Sequence, residues 1–543
     1  MIVVGVSRYH NSSVCLLIDG EIAFHVENER LSNIKYDSYP FLALNKIKEY
    51  VDHVDVIAIA GLNNEIPQES FSDGYIYADY IRHLGKSFYN NKIKIYNYGL
   101  SHHLTHAASS FYNSGFESAV CIVKDGMGSD VKIENKNFID NTYGRENMSV
   151  FTATYPNNFD LVYREVSVPF KTEPIFYDKT LVVNSLSEGM AFQKTSESFG
   201  FHSLDAGKVM GMSSYGKKNT NIPKIYNSNG INNNIFKIHN SLLDTSLDFS
   251  FNSFQEKADF AFELQKSTQE NVKQEILEVY KITNNPNVCL SGGFFLNCVA
   301  NYEYLKDIPE EINLYIEPIS SDSGTSIGAA KLAWHSESQS RKIIKQEDIY
   351  YGPTVLTKKP NGGKKTSSKE VADLLSKGKI IALYQGRSES GPRALGNRSI
   401  LFDPRVKNGK DIVNKVKQRE WFRPFAGTVL YEYAGEWFDL RGLKESPFMM
   451  YAVNVHESKQ NLIPSIVHID GSCRIQTLTR NQNKNYYDLI NEFYKITGVP
   501  ILFNTSFNLA GDCIVETLED AQKTLANSDI DYLYLPEFNL LFN

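Results

Sequence analysis

Short runs of β-branched and apolar residues, each followed by a small-residue loop and then a helical stretch, recur through the first 336 residues. That alternation restricts the fold more than any other feature, because strands interleaved with helices bury their apolar faces as an α/β layered sheet. The strand runs are IVVGVS (2–7), VDVIAIAG (54–61), IKIYNYG (93–99), SAVCIVKDGMGSD (118–130), NVCLSGGFFLNC (287–298) and the start of EINLYIEPISSDSGTSIGAAKLAWHS (311–336). SSVCLLIDGEIAFHVENER (12–30) reads as two strands joined at Asp19-Gly20, a hairpin turn signal. SLSEGMAFQKTSESFGF (185–201) and the long amphipathic segment 254–283 read as helices, and DAGKVMGMSSYG (205–216) as a glycine-rich loop. Residues 131–180 are polar and aromatic with weak periodicity and are expected to be an inserted, partly β excursion; the Asn- and Ser-rich 219–250 is expected to be a surface excursion. Near 336–368 the chain turns polar, charged and Gly/Pro-bearing, which suits a linker. Beyond it SSKEVADLLSKGK (367–379) predicts a capped helix and KIIALYQGR (379–387) a strand ending in a basic loop. The expected domains are 1–345 and 346–543.

Composition removes several classes. The 543 residues are 42% hydrophobic and 22% charged, an ordinary globular profile whose length suggests two to four domains. A formal net charge of −7 gives the whole chain no basic footprint for nucleic acid. Six cysteines lie far apart with no CxxC pair, which argues against a zinc ribbon or disulfide framework and for a reducing, cytoplasmic setting. MIVVGVSRYHNSS lacks the basic region of a signal peptide, and no apolar run approaches the ~20 residues of a membrane span.

Several residue groups carry chemistry. In SHHLTHAASS (101–110), His102 and His106 are four apart, so on a helix both imidazoles share one face and could grip one metal ion. Hydrogen-bonded histidines on an amphipathic helix are the other reading, and His103 points off that shared face. Asp125 in KDGMG and Asp322 in SSDSG stand at strand ends and would supply third and fourth ligands of a mixed N/O set, which suits Fe(II), Mn(II) or Zn(II) better than Ca²⁺. Each aspartate alone is equally a turn former or helix cap. In GVSRYHNSSVCLLIDG, His10, Ser12 and Ser13 lie in a strand–loop–strand of the kind that cradles a phosphate, or in a plain polar turn. Gly292 and Gly293 allow close approach of backbone to a flat ligand such as adenosine, or form a simple turn. Residues 387–423 hold ten basic and four acidic side chains, and the GRSESGPRALGNRSILFDPR run presents Arg387, Arg393 and Arg398 as forks suited to phosphate or carboxylate. A solvated basic face is the alternative. Arg474, in HIDGSCRIQTL, and the polar strand end Asn504-Thr505-Ser506 complete the candidates.

HHLTHAAS, KDGMG, GKVMG, SGGFFLN, DSGTSIGAA, GRSESGPRALGNRSIL, KQREWFRPFA, HIDGSCRIQTL and ILFNTSFN occur in this order over nearly the whole chain. As an ordered set they resemble the O-carbamoyltransferases of nodulation-factor, cephamycin and tobramycin biosynthesis. The resemblance implies an α/β fold: an actin-like ATPase-type N-terminal domain of two mixed-sheet subdomains, followed by a YrdC-like α/β C-terminal domain that forms carbamoyl-adenylate. It implies metal ligands at His102, His106, Asp125 and Asp322, with iron the usual metal. It implies a carbamoyl-phosphate cradle at Lys417, Arg423 and Arg474, with the GPRALGNRS loop, Asn504 and Ser506 close by. It implies a catalytic histidine at His10 with a basic partner at Lys35. The co-substrates would be ATP, with Mg²⁺, and carbamoyl phosphate. The acceptor would be a small-molecule hydroxyl, of a sugar or an aminoglycoside. A hydroxymethylated pyrimidine in a nucleotide or DNA, threonylcarbamoyl transfer to tRNA, and a nucleotide sensor without chemistry are the competing readings. A symmetric dimer is the expected assembly. Two departures stand out: the acidic pair of the family's EER stretch is interrupted as Glu27-Asn28-Glu29-Arg30, and the segment after KDGMG is unlike the family's, which leaves the acceptor open.

Overall fold

The computed structural model describes residues 1–61, 75–89, 92–135, 138, 142–227 and 229–543. They form two compact units. The first comprises Met1–Asn28, Tyr36–Ala300 and Asp307–Gln346; the second comprises Glu29–Lys35, Asn301–Lys306 and Glu347–Asn543. Two short early segments thus belong to the second unit. Within it, Arg30 donates to the Gly391 carbonyl (2.7 Å) and Asn301 Nδ2 to the Met450 carbonyl (3.0 Å).

The first unit holds two sheets of the same order. In one, β1 (Ile2–Ser7) has antiparallel β2 (Ser13–Ile18) and β3 (Glu21–Glu27) on one side and parallel β4 (Val56–Ala60) and β5 (Lys94–Asn97) on the other. Asp19 and Gly20 both take positive φ (51° and 86°), as a tight two-residue hairpin turn requires. In the other sheet, β6 (Ser118–Lys124) has antiparallel β7 (Tyr143–Thr154) and β8 (Asn158–Ser167) on one side and parallel β9 (Asn287–Ser291) and β10 (Asn313–Ile316) on the other. A lead strand with a hairpin on one side and two parallel crossovers on the other, built twice, is the actin-like architecture.

Segment 131–180, expected to be an insertion, therefore carries two central strands of the second sheet; its residues 136–137 and 139–141 lie outside the described residues. Its strand pattern is hidden in the sequence for two reasons. The pairing shifts register between Glu146 and Met148 and again between Val150 and Phe151, and each shift exchanges the faces of the strand. The buried positions also include Glu146, Asn147, Ser149 and Ser167. The expected loop at 205–216 is likewise mostly a helix, Ala206–Ser213, because burial of Val209, Met210 and Met212 offsets the roughly 1 kcal/mol that each helical glycine costs. Segment 219–250 forms two small ribbons, Tyr226–Asn227 with Gly230–Ile231 and Phe236–Ile238 with Thr245–Leu247; residue 228 lies outside the described ones. The helix at 254–283 runs Phe254–Thr283, capped by Ser253, whose side chain accepts from the Glu256 amide.

Two helices position the site of this unit: α1 (His102–Ser114) and α2 (Thr325–Ser338). At their crossing, a Cβ on Gly328 would lie 1.8 Å from the Thr105 carbonyl oxygen, so only glycine lets the backbones meet. α2 also lies against β1, where a Cβ on Gly5 would lie 1.9 Å from the Ser326 carbonyl. The start of α1, the end of β6 and the start of α2 are thereby brought to one place.

The second unit is built on one mixed sheet. Its centre runs β11 (Ile381–Tyr384), β12 (Arg398–Phe402), β15 (Ile501–Ser506), β13 (Ala426–Leu430), β14 (Ser472–Leu478), with only β13 and β14 parallel among these neighbours. The predicted capped helix is α3 (Ser368–Ser376), with a capping box between Ser367 and Glu370. A further helix, α4 (Gly409–Val416), leads into the basic turn that begins at Lys417. All six cysteines are free and buried, and no described helix is long and apolar enough to cross a membrane.

Candidate metal centre and anion site

In the first unit, His102, His106, Asp125 and Asp322 converge, each offering one ligand atom, all within 4.8 Å of one another. His102 is the first residue of α1, so His106 follows it one turn on, and their Nε2 atoms are 3.2 Å apart. Asp125 leaves the end of β6 and places Oδ2 3.2 Å from His102 Nε2 and 4.0 Å from His106 Nε2. Asp322, just before α2, places Oδ1 3.6 and 3.7 Å from the same two nitrogens. The helical spacing that links the histidines and the strand ends that carry the aspartates are both visible in the sequence. His103 points elsewhere, with Nδ1 2.8 Å from Ser149 Oγ.

The electrostatics of this cluster ask for a cation. Burial disfavours charge on His102, but Asp322 and Asp125 outweigh it and raise its pKa to about 10. Burial and mutual repulsion push Asp125 up, yet the imidazoles hold it below the ordinary carboxylate range; burial likewise opposes charge on Asp322, which His10 and His102 hold well below that range. Two buried carboxylates thus stay ionised and draw positive charge onto their neighbours. Two imidazole nitrogens and two carboxylate oxygens fit a first-row divalent ion, whose ligands sit at about 2.0–2.2 Å and so within roughly 4.4 Å of one another.

The surroundings fix the ligands. Gly293 N–H donates to Asp125 Oδ1 (3.0 Å), leaving Oδ2 for the cluster. Gly292, at φ 98°, packs where a Cβ would lie 2.2 Å from the Lys124 carbonyl. The glycine pair therefore serves Asp125, a role the sequence did not suggest. His10 stands beside the cluster, with Nε2 3.6 Å from Asp322 Oδ2. It sits between Tyr9 and Asn11, both at positive φ (75° and 62°), a strained turn of the kind that collects at functional sites. His10 Nδ1 lies 3.1 Å from Asn11 Oδ1, which only accepts, so Nδ1 is the donor of that pair and Nε2 is the nitrogen turned toward Asp322. Ser12 and Ser13 correct the phosphate-loop expectation. Ser12 Oγ donates to the Asp37 carbonyl (2.7 Å) and Ser13 Oγ to the Ser323 carbonyl (2.7 Å), both fully buried, because strand, loop and helix start close on each other here.

In the second unit, cations gather at the turn after α4. Lys417 is 3% exposed and donates to Ser506 Oγ (3.2 Å), the Ser506 carbonyl (2.5 Å) and Asn508 Oδ1 (3.0 Å). Burial, then Arg419, Arg423 and Lys35, push its pKa well below the lysine range. Arg419 is held down in the same way by burial, Arg423 and Arg474, with Glu420 the one opposing acid; its guanidinium lies 4.4 Å over the Phe425 ring. Arg423 Nη1 is 3.5 Å from Glu420. Five basic side chains, Lys35, Lys417, Arg419, Arg423 and Arg474, thus gather here, with Lys417 buried, the arginines partly so and Lys35 exposed, an arrangement suited to a polyanion. Lys35, expected beside His10, belongs to the second unit, with Nζ 3.5 Å from the Asp512 carbonyl.

Arg419 and Asn508 join this site without having stood out in the sequence. Gln418 takes φ 53° at the helix end, so Lys417 and Arg419, two apart, serve one site, and Ser506 and Asn508 match them with the same spacing. Two expected forks are absent from the cluster. Arg387 donates from Nε and Nη2 to the carbonyls of Gly352 (2.6 Å) and Tyr351 (2.7 Å). Arg398, fully buried, donates to the carbonyls of Gln385 (2.7 Å) and Glu516 (3.2 Å) and stacks 3.8 Å over Tyr384. Both hold the fold, because the loop between them folds inward. Glu389 fastens that loop, its Oε1 accepting from the amides of Leu395 (2.6 Å) and Asn397 (2.8 Å). Arg393 is half-buried on the loop, and Asn504 on β15 lies inside, bonded to the Ala394 carbonyl (3.2 Å).

Residues 2–331 match the family described as Carbamoyltransferase N-terminus, and residues 372–541 match Carbamoyltransferase C-terminus. Nodulation protein NolNO of Sinorhizobium fredii is 31% identical over 97% of this chain and 78% of its own. Nodulation protein NolO of Bradyrhizobium diazoefficiens is 32% identical over 81% of this chain and 78% of its own. A crystal structure of T. kodakarensis HypF aligns at a TM-score of 0.38 and 13% identity over 62% of this chain and 48% of that one, too slight a likeness to bear on function.

Proposed function

The chain belongs to the carbamoyltransferase family and is an enzyme of that class; from this premise we propose that it uses carbamoyl phosphate and ATP to make carbamoyl-adenylate and passes the carbamoyl group to a hydroxyl of a small-molecule acceptor. The observation that carries the reading is the cluster of basic side chains around buried Lys417. Such a cluster suits the phosphate of carbamoyl phosphate and the triphosphate of ATP, whose chemistry depends on positioning and on prearranged opposite charge.

In this reading the second unit is the YrdC-like, adenylate-forming part. Lys417, Arg419, Arg423 and Arg474 hold the phosphate as water cleaves it from carbamoyl phosphate, leaving carbamate. A carbamate oxygen then attacks the α-phosphorus of ATP and pyrophosphate leaves. Exclusion of bulk water around the cluster limits loss of the product by hydrolysis. The first unit carries out transfer. The acceptor hydroxyl attacks the carbamoyl carbon, AMP leaves, and the hydroxyl proton goes to His10 Nε2, the nitrogen beside Asp322. His102, His106, Asp125 and Asp322 would hold a divalent ion, with iron first among the candidates. That ion would supply Lewis acidity toward phosphate oxygen. A sugar or aminoglycoside hydroxyl is the favoured acceptor.

The deciding experiment is pyrophosphate release from ATP in the absence of any acceptor. It should depend on carbamoyl phosphate, and a wild-type enzyme that releases none would overturn the adenylation step. Mass spectrometry of an acceptor panel including sugars, aminoglycosides, hydroxymethylcytidine and tRNA should give the carbamoyl mass gain on a sugar or aminoglycoside; gain on the nucleoside or tRNA alone would overturn that choice of acceptor.

A further inference from the structure

The helix that carries both imidazoles is held at its start by a residue from another part of the chain. His102 opens α1, so its N–H is one of the four that a helix leaves without an internal partner. The residue before a helix commonly caps such an amide, yet the Ser101 side chain makes no capping bond among the described residues. The His102 N–H donates instead to Ser129 Oγ (3.0 Å), and Ser129 Oγ gives its own proton to the Gly99 carbonyl (3.4 Å). Ser129 thus caps α1 from the loop that follows Asp125, and ties it to the chain that leads into it.

The hairpin β7–β8 fixes Ser129 in turn. The Ser129 N–H donates to Glu146 Oε2 (3.2 Å), the Glu146 N–H to the Ser129 carbonyl (3.2 Å) and the Gly128 N–H to the Glu146 carbonyl (2.8 Å). Arg164 on β8 stands behind the carboxylate, with Nη1 3.9 Å from Glu146 Oε1. A Cβ on Gly128 would lie 2.6 Å from His103 Nε2 and 2.9 Å from Glu146 Oε2, so the last glycine of KDGMG lets helix, loop and strand close together. β7 reaches α1 a second time through Ser149, whose Oγ lies 2.8 Å from His103 Nδ1. Consecutive helical residues point about 100° apart, so a hold on His103 fixes the rotation of α1 about its axis. The Ser129 cap fixes its end. Together they set where the His102 and His106 rings point.

We propose that the hairpin β7–β8 is a positioning element of the metal centre, in which Glu146, acting through Ser129, sets the affinity of His102 and His106 for a divalent ion. This assignment rests on the metal reading of the four-residue cluster. It gives the segment unlike the family's a task other than touching the acceptor. Ligand distances in a metal site are held to about 0.2 Å, so a helix end that drifts further loses its ion. Groups that orient metal ligands from behind typically govern roughly 10- to 100-fold in affinity.

Competition between the full chain and a chromogenic chelator for Co(II) reads that affinity without turnover. Glu146→Ala should weaken Co(II) binding about tenfold or more, whereas Glu146→Gln, which keeps an acceptor oxygen for the Ser129 amide, should bind within about threefold of wild type. Val182→Ala is the comparison, because Val182 belongs to a core cluster drawn from within 131–182 and holding no residue of α1 among those described. It should lower the melting temperature and leave Co(II) affinity within about threefold of wild type. If Glu146→Ala does not fold, as its melting curve will show, Ser129→Ala takes its place with the same expected loss. Three outcomes overturn the positioning role and leave the metal reading standing: wild-type affinity in the alanine variant, an equal loss in Val182→Ala, which makes the effect one of stability, or an equal loss in Glu146→Gln, which makes it one of charge. A wild type that binds no Co(II) overturns the metal reading, and this assignment with it.

Discussion

The two units collect charge of opposite sign, and they live with it differently. The first buries two carboxylates against two imidazoles, and His102 answers by taking up positive charge, its pKa raised to about 10. The second gathers cations around buried Lys417, whose pKa is pushed down by burial and its basic neighbours, while the arginines beside it keep their protons. The acidic cluster is thus partly self-neutralising, and its geometry and ligand types would decide which cation it could hold. Glu420, 3.5 Å from Arg423, offsets only part of the charge of the basic cluster. Stored repulsion of this kind marks a binding site more strongly than a count of basic residues does, since Arg387 and Arg398 belong to the same basic run and donate to backbone carbonyls.

The largest test of this contrast is to disable each cluster alone. His106→Gln should lower bound metal, read by elemental analysis, to background and reduce acceptor carbamoylation by about 1000-fold or more, as loss of a catalytic ion does. Carbamoyl-phosphate-dependent pyrophosphate release should persist. Loss of both activities together would show that the clusters do not divide the chemistry. Next, Arg423→Ala should cut pyrophosphate release by about 100-fold, the scale of one transition-state contact worth about 2–3 kcal/mol, with metal content unchanged. A smaller effect is expected on stability. Carbamoyl phosphate at about 100 times its Kd should stabilise the protein by about 2.7 kcal/mol, seen as a raised melting temperature, and Arg419→Met should remove most of that shift. A shift that survives in Arg419→Met would place the anion elsewhere.

The smallest test asks whether a lone buried cation is costly where no anion cluster exists. Lys331 on α2 is buried in the first unit, its Nζ 2.6 Å from Asn113 Oδ1, and burial pushes its pKa down to about 8. Below pH 8 both folded and unfolded chains carry the proton. Between pH 8 and the unfolded value of 10.5 only the unfolded chain does, so it binds more protons and stability rises with pH across that window. Lys331→Met should flatten this rise and stabilise the protein at pH 7 by about 1–2 kcal/mol, less than the full shift because Asn113 loses its partner. Denaturant unfolding at pH 7 and pH 9.5 measures both; an unchanged pH slope would show that Lys331 is not the group responsible.

Much of the first unit, and the convergence of its two histidines and two aspartates, was legible. Asp19-Gly20 marked a hairpin, and the i, i+4 spacing of His102 and His106 marked one helix face, because these are local geometries. The β7–β8 hairpin was not legible, since register shifts and buried polar residues erase the period-two signal that a single sequence can offer. The basic site was legible as a region and not as a set of residues.

What the sequence determined by itself was therefore local: the alternation that makes an α/β protein, the helix that carries two imidazoles, and the concentration of positive charge after residue 386. What only the tertiary structure decided was the partner of each polar group. Whether a guanidinium is buried among carbonyls, as in Arg398, or stands beside other cations, as Arg419 does while also donating to the Pro424 carbonyl, depends on strands far apart in the chain. The same holds for the amide of His102, which Ser129 caps in place of its neighbour Ser101. Hydrogen bonds are directional and short, so the final assignment of donors to acceptors waits until the chain has closed around them.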